Sequence, residues 1–378
     1  MQKKKILIIS ITNQNSDPRV IRQVKFLKDE YDIYCCGANN SYISKEKFIR
    51  VNSRNNTAFS KIIVGTLKLF RLYDSAESFV LNSKLKLEVP DNLFQFDLII
   101  ANDFDTMALA LKKFKTKKVI ADFHEYAPSE FEDKLYWKYI HKNFVIHQCR
   151  KYFPDIGAIT TVCKSIADEY EKEFERKPVV ITNASEYADL NPSSVIEKVR
   201  IIHHGAAISS RKIEIMIEVA KLLDDRFTFD LMLIPNEKEY FNKLKSMAAG
   251  SKKIKFIEPV SFEEIVTFCN SYDIGMFILP PVNLNYKYAL PNKFFEFIQS
   301  RLAIVTGPSK EMSDYIDRYE LGLHTKTFNP QEVADEINKL SNEQIMSYKK
   351  NSARYAKELS AGENKKVLNN VVKDILSD

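Results

Sequence analysis

Ala289-Leu290-Pro291-Asn292-Lys293-Phe294-Phe295-Glu296-Phe297-Ile298 is the stretch of this 378-residue chain whose residue types point most directly to ligand chemistry. Proline suits the first turn of a helix, where its missing N–H is not needed, so Pro291 marks a helix start. The first N–H groups of a helix have no partner within it and lie at the positive end of its dipole. Such a start is a natural seat for a phosphate or diphosphate. Lys293 adds a charge there. Glu296, three residues on, projects from nearly the same face. A carboxylate one turn beyond a phosphate seat can accept two hydrogen bonds from a ribose diol. The same residues also describe an ordinary amphipathic helix with a solvated Lys–Glu pair, so the surrounding elements have to decide between the two.

Those elements alternate. Short apolar runs at 6–10, 31–36, 97–101, 118–122, 158–162 and 179–181 predict strands, with helices over 18–28 and 106–114. Near-continuous β-branched runs between helical segments predict a parallel sheet covered on both faces. A second series starts near 198, with strands at 199–203, 229–234, 253–256, 274–279 and 303–306 and helices over 211–223, 262–269 and 291–300. The fold class expected is α/β: two Rossmann-like, doubly wound parallel-sheet domains facing a central cleft. The N-terminal domain is assigned to 1–188 and the C-terminal domain to 189–362. The join contains Asn191-Pro192-Ser193-Ser194, which suits a linker. A final helix at 363–378, with Val367, Leu368, Val371, Val372 and Leu376 at helical spacing, completes the chain.

In open sheets of this kind ligands sit beyond the carboxyl ends of strands. That rule places Asp17 and Arg19 in the loop after the first strand, and His124 and Glu125 after the strand at 118–122. His204 and Gly205 fall after the strand at 199–203, with Arg211 just downstream.

Composition narrows the function classes. Hydrophobic residues make up 45% and charged residues 28%, the balance of a globular protein. No apolar run approaches the roughly 18–20 residues that span a bilayer. Lys3-Lys4-Lys5 before Ile6-Leu7-Ile8-Ile9 resembles a signal peptide only briefly, and a first buried strand is the better reading. Cys35, Cys36, Cys149, Cys163 and Cys269 are odd in number and show no C-x-x-C spacing, which argues against a disulfide framework or zinc site and for a cytoplasmic setting. The first 185 residues carry 30 Lys and Arg against 23 Asp and Glu, so the first half is expected to meet something anionic, unless this is simply a solvated basic surface. Residues 59–88 mix apolar side chains with Lys61, Lys68 and Arg71, a pattern that fits either a helix packed on its own domain or one lying on an anionic membrane. No basic–aromatic stripe or nucleic-acid module appears, so no nucleic-acid partner is expected. With only 9 glycines and no G-x-G-x-x-G after a strand, a dinucleotide dehydrogenase is disfavoured.

Leu290-Pro291-Asn292-Lys293 with Glu296, followed by Ala303-Ile304-Val305, resembles the donor-site helix of the retaining glycosyltransferases of family 4. The resemblance runs in order through most of the chain. Asp17-Pro18-Arg19-Val20 is similar to the loop and helix after their first strand, and Asp122-Phe123-His124-Glu125 to their acceptor-side D-x-H-E segment. Thr161-Val162-Cys163-Lys164-Ser165 matches the strand and helix before the linker, Ile181-Thr182-Asn183 the I-P-N position, and His203-His204-Gly205 the first turn of the nucleotide domain. The resemblance implies a GT-B fold, no metal and no cofactor, and transfer of a sugar with retention from a nucleotide-diphosphate donor, UDP being the preferred guess. The acceptor would be a glycan, glycolipid or glycoprotein used in bacterial surface polysaccharide or glycoconjugate synthesis.

The implied roles follow residue by residue. Glu296 would bind the donor ribose, and Leu290, Pro291, Asn292 and Lys293 would hold the diphosphate through main-chain amides. Arg211 would stabilise the leaving group, and His124 would touch the transferred sugar. His124, Arg211 and Glu296 form the catalytic set; His204 and Gly205 complete the donor side. Asp17, Arg19 and Glu125 join His124 on the acceptor side. Arg19 would either hold an acceptor phosphate or pair with Asp17 at a helix start, and Glu125 would orient His124 or cap a backbone group. The final helix is expected to cross back onto the first domain.

Three departures from the family pattern stand out. The first carboxylate of Glu-x7-Glu is Tyr288, the usual Gly-Arg pair reads Gly205-Ala206, and residues 12–17 hold no glycine. They leave two alternatives open: a catalytically silent partner subunit of the same fold, and a nucleotide-sugar 2-epimerase, for which no convincing carboxylate set is visible.

Overall fold

The computed structural model describes residues 3–40, 43–53, 57–88, 95–114, 116 and 118–377. The chain divides into two units, Met1–Ile181 with Lys365–Asp378, and Thr182–Asn364.

The first unit is built on an eight-stranded sheet. Its strands are β1 (Lys5–Ile9), β2 (Asp32–Gly37), β3 (Phe48–Ser53), β4 (Leu85–Glu88), β5 (Leu98–Asn102), β6 (Val119–Phe123), β7 (Ala158–Thr161) and β8 (Val179–Val180), in the order β4-β3-β2-β1-β5-β6-β7-β8. All neighbours are parallel except β3 and β4. Ile6, Leu7, Ile8 and Ile9, like Leu98, Ile99 and Ile100, are fully buried, as a parallel sheet covered on both faces requires. Strand order reverses between β1 and β5, so the loops after these two strands diverge and leave a crevice at their carboxyl ends.

The second unit repeats the plan with β9 (Val199–Ala206), β10 (Phe227–Ile234), β11 (Ile254–Ile257), β12 (Ile274–Phe277), β13 (Ala303–Thr306) and β14 (Gly322–His324), ordered β11-β10-β9-β12-β13-β14 and parallel throughout. Its reversal lies between β9 and β12. Val199, Ile201, Phe229, Leu231, Ile274, Met276 and Val305 form the core between sheet and helices.

The α/β class with two parallel-sheet domains is as expected, and local differences have physical causes. The stretch at 59–88 is not one element: helices Ala58–Leu69 and Tyr73–Phe79 precede β4, which runs antiparallel to β3 at the sheet edge. The helix expected over 211–223 is broken. Ser209–Arg211 forms a 3-10 turn, Lys212 takes a left-handed conformation (φ 52°), and the helix proper spans Glu214–Leu222. Pro291 caps the helix Asn292–Gln299 from an extended conformation rather than lying within its first turn. The last helix, Ala361–Ser377, brings Ile375 against Gly157, where an added Cβ would lie 3.2 Å from the Ile375 side chain. Lys373 pairs with Glu30 at 3.2 Å.

Candidate functional site

In the second unit the strand ends gather most of the residues singled out for the donor. Gly205 near the end of β9 has φ +134°, a backbone region that side chains rarely adopt. A Cβ there would stand 3.0 Å from Lys293 Nζ and 3.5 Å from Arg211 Nη1. The bare backbone is what lets two cations converge on one point. The break at Lys212 leaves Arg211 in the loop, where its Nη1 donates to the Ala206 carbonyl at 3.2 Å.

Lys293 projects from the first turn of the helix Asn292–Gln299 and is 7% exposed. Its ammonium lies 4.3 Å from the centroid of the Phe277 ring, at the end of β12. Nζ makes no hydrogen bond among the described residues. Burial and the nearby Arg211 charge push this lysine well below the ordinary value, with Glu296 opposing. The His203 ring stacks on the same Phe277 ring at 5.7 Å, and its Nδ1 meets the Met276 carbonyl at 2.9 Å. Burial and Lys293 lower His204 to about 3, so its imidazole is neutral.

The expected placement of Glu296 acquires a qualification from its surroundings. Its side chain is 7% exposed and lies 3.4 Å from His204 Nε2, so the carboxylate proposed for a ribose diol is nearly covered. The loop before the helix is tied down twice: Asn183 donates to the Leu290 carbonyl at 3.2 Å, and Tyr286 and Ser210 share a hydroxyl–hydroxyl bond of 2.9 Å. Asn183 thereby organises the loop that carries Leu290 and Pro291.

Buried polar atoms are nearly always paired in native proteins. Among the described residues, His203 Nε2, Asn292 Oδ1, Lys293 Nζ, Thr306 Oγ1 and Ser309 Oγ make no hydrogen bond, and His204 Nε2 has only its 3.4 Å contact with Glu296. They lie toward the carboxyl ends of β9 and β13 and at the starts of the helices Asn292–Gln299 and Lys310–Tyr319. Phe277 pairs in register with Thr306, which links the two groups.

The residues singled out for the acceptor lie in the first unit, around the carboxyl ends of β1, β5 and β6. Arg19 forms the helix-start pair. Its Nε and Nη2 each lie 3.0 Å from the two oxygens of Asp17, a bidentate fork, and Nη1 donates to Asp103 at 2.6 Å. Asp103 occupies an unusual backbone position for a side-chain-bearing residue (φ 65°, ψ 161°), which its pairing with Arg19 helps to hold. The Arg19 guanidinium is thus engaged by two carboxylates.

His124 Nε2 lies 3.1 Å from Asp122 Oδ2, so Asp122 is the carboxylate that orients it. Asp122 also accepts from Thr160 (2.5 Å) and Gln23 (2.8 Å), and Gln23 is bonded in turn to Asn102. Burial alone would raise the Asp122 carboxyl, but His124 and Thr160 hold it below the usual range. The Glu125 main-chain carbonyl accepts from Tyr170 at 2.9 Å. Crowding by the protein and the Asp103 charge raise the Glu125 side chain to about 7, with Arg19 opposing. Glu130 is pushed up to about 8 by burial and then by Glu125, Asp105 and Asp103.

Asp103 and Glu130 were not singled out from sequence, and Asp122 entered only as the first residue of the D-x-H-E segment. Asn102-Asp103, a polar pair ending a buried apolar run, was the available signal for the first. Among the described residues no group of three or more His, Cys, Asp and Glu is placed to hold a metal ion.

No protein-family model and no curated protein sequence matches the chain. Solved structures match over its full length. Anabaena HepE in complex with UDP and glucose is 11% identical with a TM-score of 0.68, covering 98% of this chain and 100% of that one. A glycosyltransferase from Rickettsia africae is 13% identical with a TM-score of 0.66 and covers 100% of both chains. The Escherichia coli trehalose-6-phosphate protein bound with UDP-2-fluoro glucose is 9% identical with a TM-score of 0.65, covering 99% of each. At these identities the likeness establishes the fold, which is GT-B.

Proposed function

We propose that the chain is a glycosyltransferase that takes its sugar from a nucleotide-diphosphate donor. One observation carries the reading: Lys293 and Arg211 converge over the bare backbone of Gly205 at a strand end and a helix start, with Nζ of Lys293 buried and without a hydrogen bond among the described residues. Two cations beside a helix N-terminus answer the charge and geometry of a diphosphate. The solved structures of this fold that hold UDP or a UDP-sugar are consistent with that ligand class.

On this reading Asn292 and Lys293 meet the diphosphate and Glu296 the ribose. Arg211 and Lys293 stabilise the charge that builds on the departing phosphate as the bond to the anomeric carbon breaks. The acceptor hydroxyl oxygen bonds to that carbon on the same face, and its proton passes to the leaving diphosphate oxygen, so the configuration is retained and no metal is required. His124, held by Asp122, addresses the transferred sugar, and Asp17, Arg19 and Glu125 shape the acceptor side. A cytoplasmic enzyme working on a glycan or lipid-linked acceptor of the bacterial surface is the setting this reading favours.

The raised carboxyls of Glu125 and Glu130 favour a second reading, acid–base chemistry on a nucleotide sugar, as in an epimerase. Tyr288 and Ala206 fit a silent relative. Calorimetric titration with UDP and GDP, followed by turnover assays with and without acceptor sugars, separates the three. Nucleotide binding with acceptor-dependent turnover supports the transferase. Turnover without acceptor supports the epimerase, and binding without turnover the silent form. Absence of nucleotide binding by folded protein overturns all three.

A further inference from the structure

The helix Ala58–Leu69 is inside out. Its buried face consists of Ser60, Val64 and Lys68, whereas Phe59, Ile62 and Leu69 are 72%, 65% and 60% exposed. Surface helices ordinarily turn their apolar stripe to the core and their lysines to water. Here Lys68 is turned inward. Its ammonium lies 2.7 Å from His141 Nδ1 and 4.0 Å from the centroid of the Phe144 ring. Burial and Lys68 hold His141 down at about 3, so the neutral ring can accept from that lysine.

The apolar face does not end with this helix. Phe70 and Leu72 extend it at the C-terminal end, 69% and 53% exposed. Beside it lies the segment before and within the π-helical turn Trp137–His141, where Phe131, Leu135, Tyr136 and Tyr139 are exposed, Leu135 by 74%. Gly65 brings the two together, since a Cβ on it would lie 3.9 Å from the Tyr136 ring. Large exposed apolar patches on a folded domain mark a surface that meets something else.

We propose that this face of the first unit docks on an anionic lipid bilayer. The exposed charges interleaved with the patch are Lys61, Arg71, Lys134 and Lys138, against Asp133. Lys134 and Lys138 lie over the Phe131 and Tyr139 rings at 4.5 and 5.7 Å, a stem-along-ring arrangement that keeps the ammonium at a polar boundary. Aliphatic tips, tyrosines with a polar end and a basic fringe match the layered chemistry of a headgroup boundary. A second copy of the chain fits poorly, because its own lysines would face these. Among the described residues no helix is long and apolar enough to cross a membrane, so the contact is with the surface. The inference rests on the first unit alone and stands independently of the sugar-transfer reading.

The test is co-sedimentation of the full chain with vesicles of phosphatidylcholine and phosphatidylglycerol at 3:1, and with phosphatidylcholine alone. Two double variants accompany the wild type: Phe59→Gln/Leu69→Gln and Lys61→Glu/Lys138→Glu. All four positions are exposed, so both variants should melt close to the wild type. We expect the wild type to pellet with anionic vesicles and far less with neutral ones. The charge variant should lower the partition coefficient roughly 30-fold or more, and the apolar variant roughly tenfold or more. UDP titration should be unchanged in both, so loss of lipid binding and loss of nucleotide binding are read separately. A wild type that stays in the supernatant with anionic vesicles overturns the proposal. So do variants that bind lipid as well as the wild type, and a patch-dependent dimer that binds no lipid.

Discussion

Lys293 Nζ stands 4.3 Å from the centre of the Phe277 ring, within the protein and without a hydrogen-bond acceptor among the described residues. An ammonium so placed, with Arg211 nearby, sheds its proton more readily than lysine ordinarily does. An arriving diphosphate reverses that balance. We expect UDP binding to take up protons at a lower pH than an ordinary lysine would allow, measured across a pH series as a binding enthalpy that varies with the ionisation heat of the buffer. Lys293→Met should abolish the uptake and weaken binding by about 1.5–3 kcal/mol, the range for hydrogen bonds to charged groups. Equal enthalpies in all buffers for the wild type would count against the role given to this lysine.

Gly205→Ala tests the same point from the backbone. The new Cβ would enter the space where the two cations meet and sit at a φ that favours glycine. We expect a stability loss of about 1–3 kcal/mol from the backbone term. Nucleotide affinity should fall by a clearly larger factor than Arg211→Lys produces. Thermal melting and titration of the same samples separate the two effects.

The buried histidines set a pH window. His204 is lowered to about 3 and His203 well below its ordinary value, mainly by burial, so both stay neutral in the folded state while an unfolded chain takes up protons below about 6.5. The unfolded state then binds more protons, and stability falls as pH drops from about 6.5. Glu130, raised to about 8, acts in the opposite sense, its contribution being lost as pH rises toward that value. The histidine contribution is therefore read as a difference. His203→Asn keeps a donor for the Met276 carbonyl, and between pH 6.5 and 5 its stability should fall less steeply than the wild type, by up to about 1.4 kcal/mol per pH unit. Parallel denaturation curves would show that His203 charges at no cost.

His124→Ala should reduce sugar transfer by about 10²–10³, the scale of losing one well-placed active-site donor. UDP affinity should stay within about twofold, because His124 belongs to the other unit. Asp122→Asn should repeat part of this loss, since Asp122 acts through His124. Initial rates at saturating donor, set against titrated affinities, give the comparison.

Lys349 offers a prediction about stability alone. It is fully buried, and its ammonium donates to Asp273 (2.9 Å), the Tyr272 carbonyl (2.7 Å) and Ser193 (2.8 Å). Lys349→Met leaves the Asp273 carboxylate buried and uncompensated and should cost about 3–5 kcal/mol by urea denaturation.

The strands with unbroken apolar runs, such as Ile6-Leu7-Ile8-Ile9 and Leu98-Ile99-Ile100, were legible in the sequence because burial on both faces leaves no polar position. The outlying strands β3, β4 and β14 were not. β4 and β14 are sheet edges of four and three residues, and Arg50 interrupts β3 so that it offers no unbroken apolar run. The helix start at Asn292 was readable from Pro291, whereas the break at Lys212 was not, since nothing in Ser210-Arg211-Lys212 announces a left-handed residue. The same limit governs the site. Gly205, Arg211 and Lys293 could each be picked out by type and position, but the meeting of the two cations over Gly205 depends on strand order. The Asp103–Arg19 and Asp122–Gln23 bonds join residues far apart in sequence, and only the folded sheet brings them together.

A crystal structure of the chain grown with saturating UDP addresses the donor site most directly. We expect the diphosphate at the start of the helix Asn292–Gln299, with Lys293 Nζ and the Arg211 guanidinium within hydrogen-bond distance of its oxygens and Glu296 turned to the ribose. UDP bound elsewhere, no UDP at saturation, or a diphosphate that leaves Lys293 unbonded against Phe277 would contradict it.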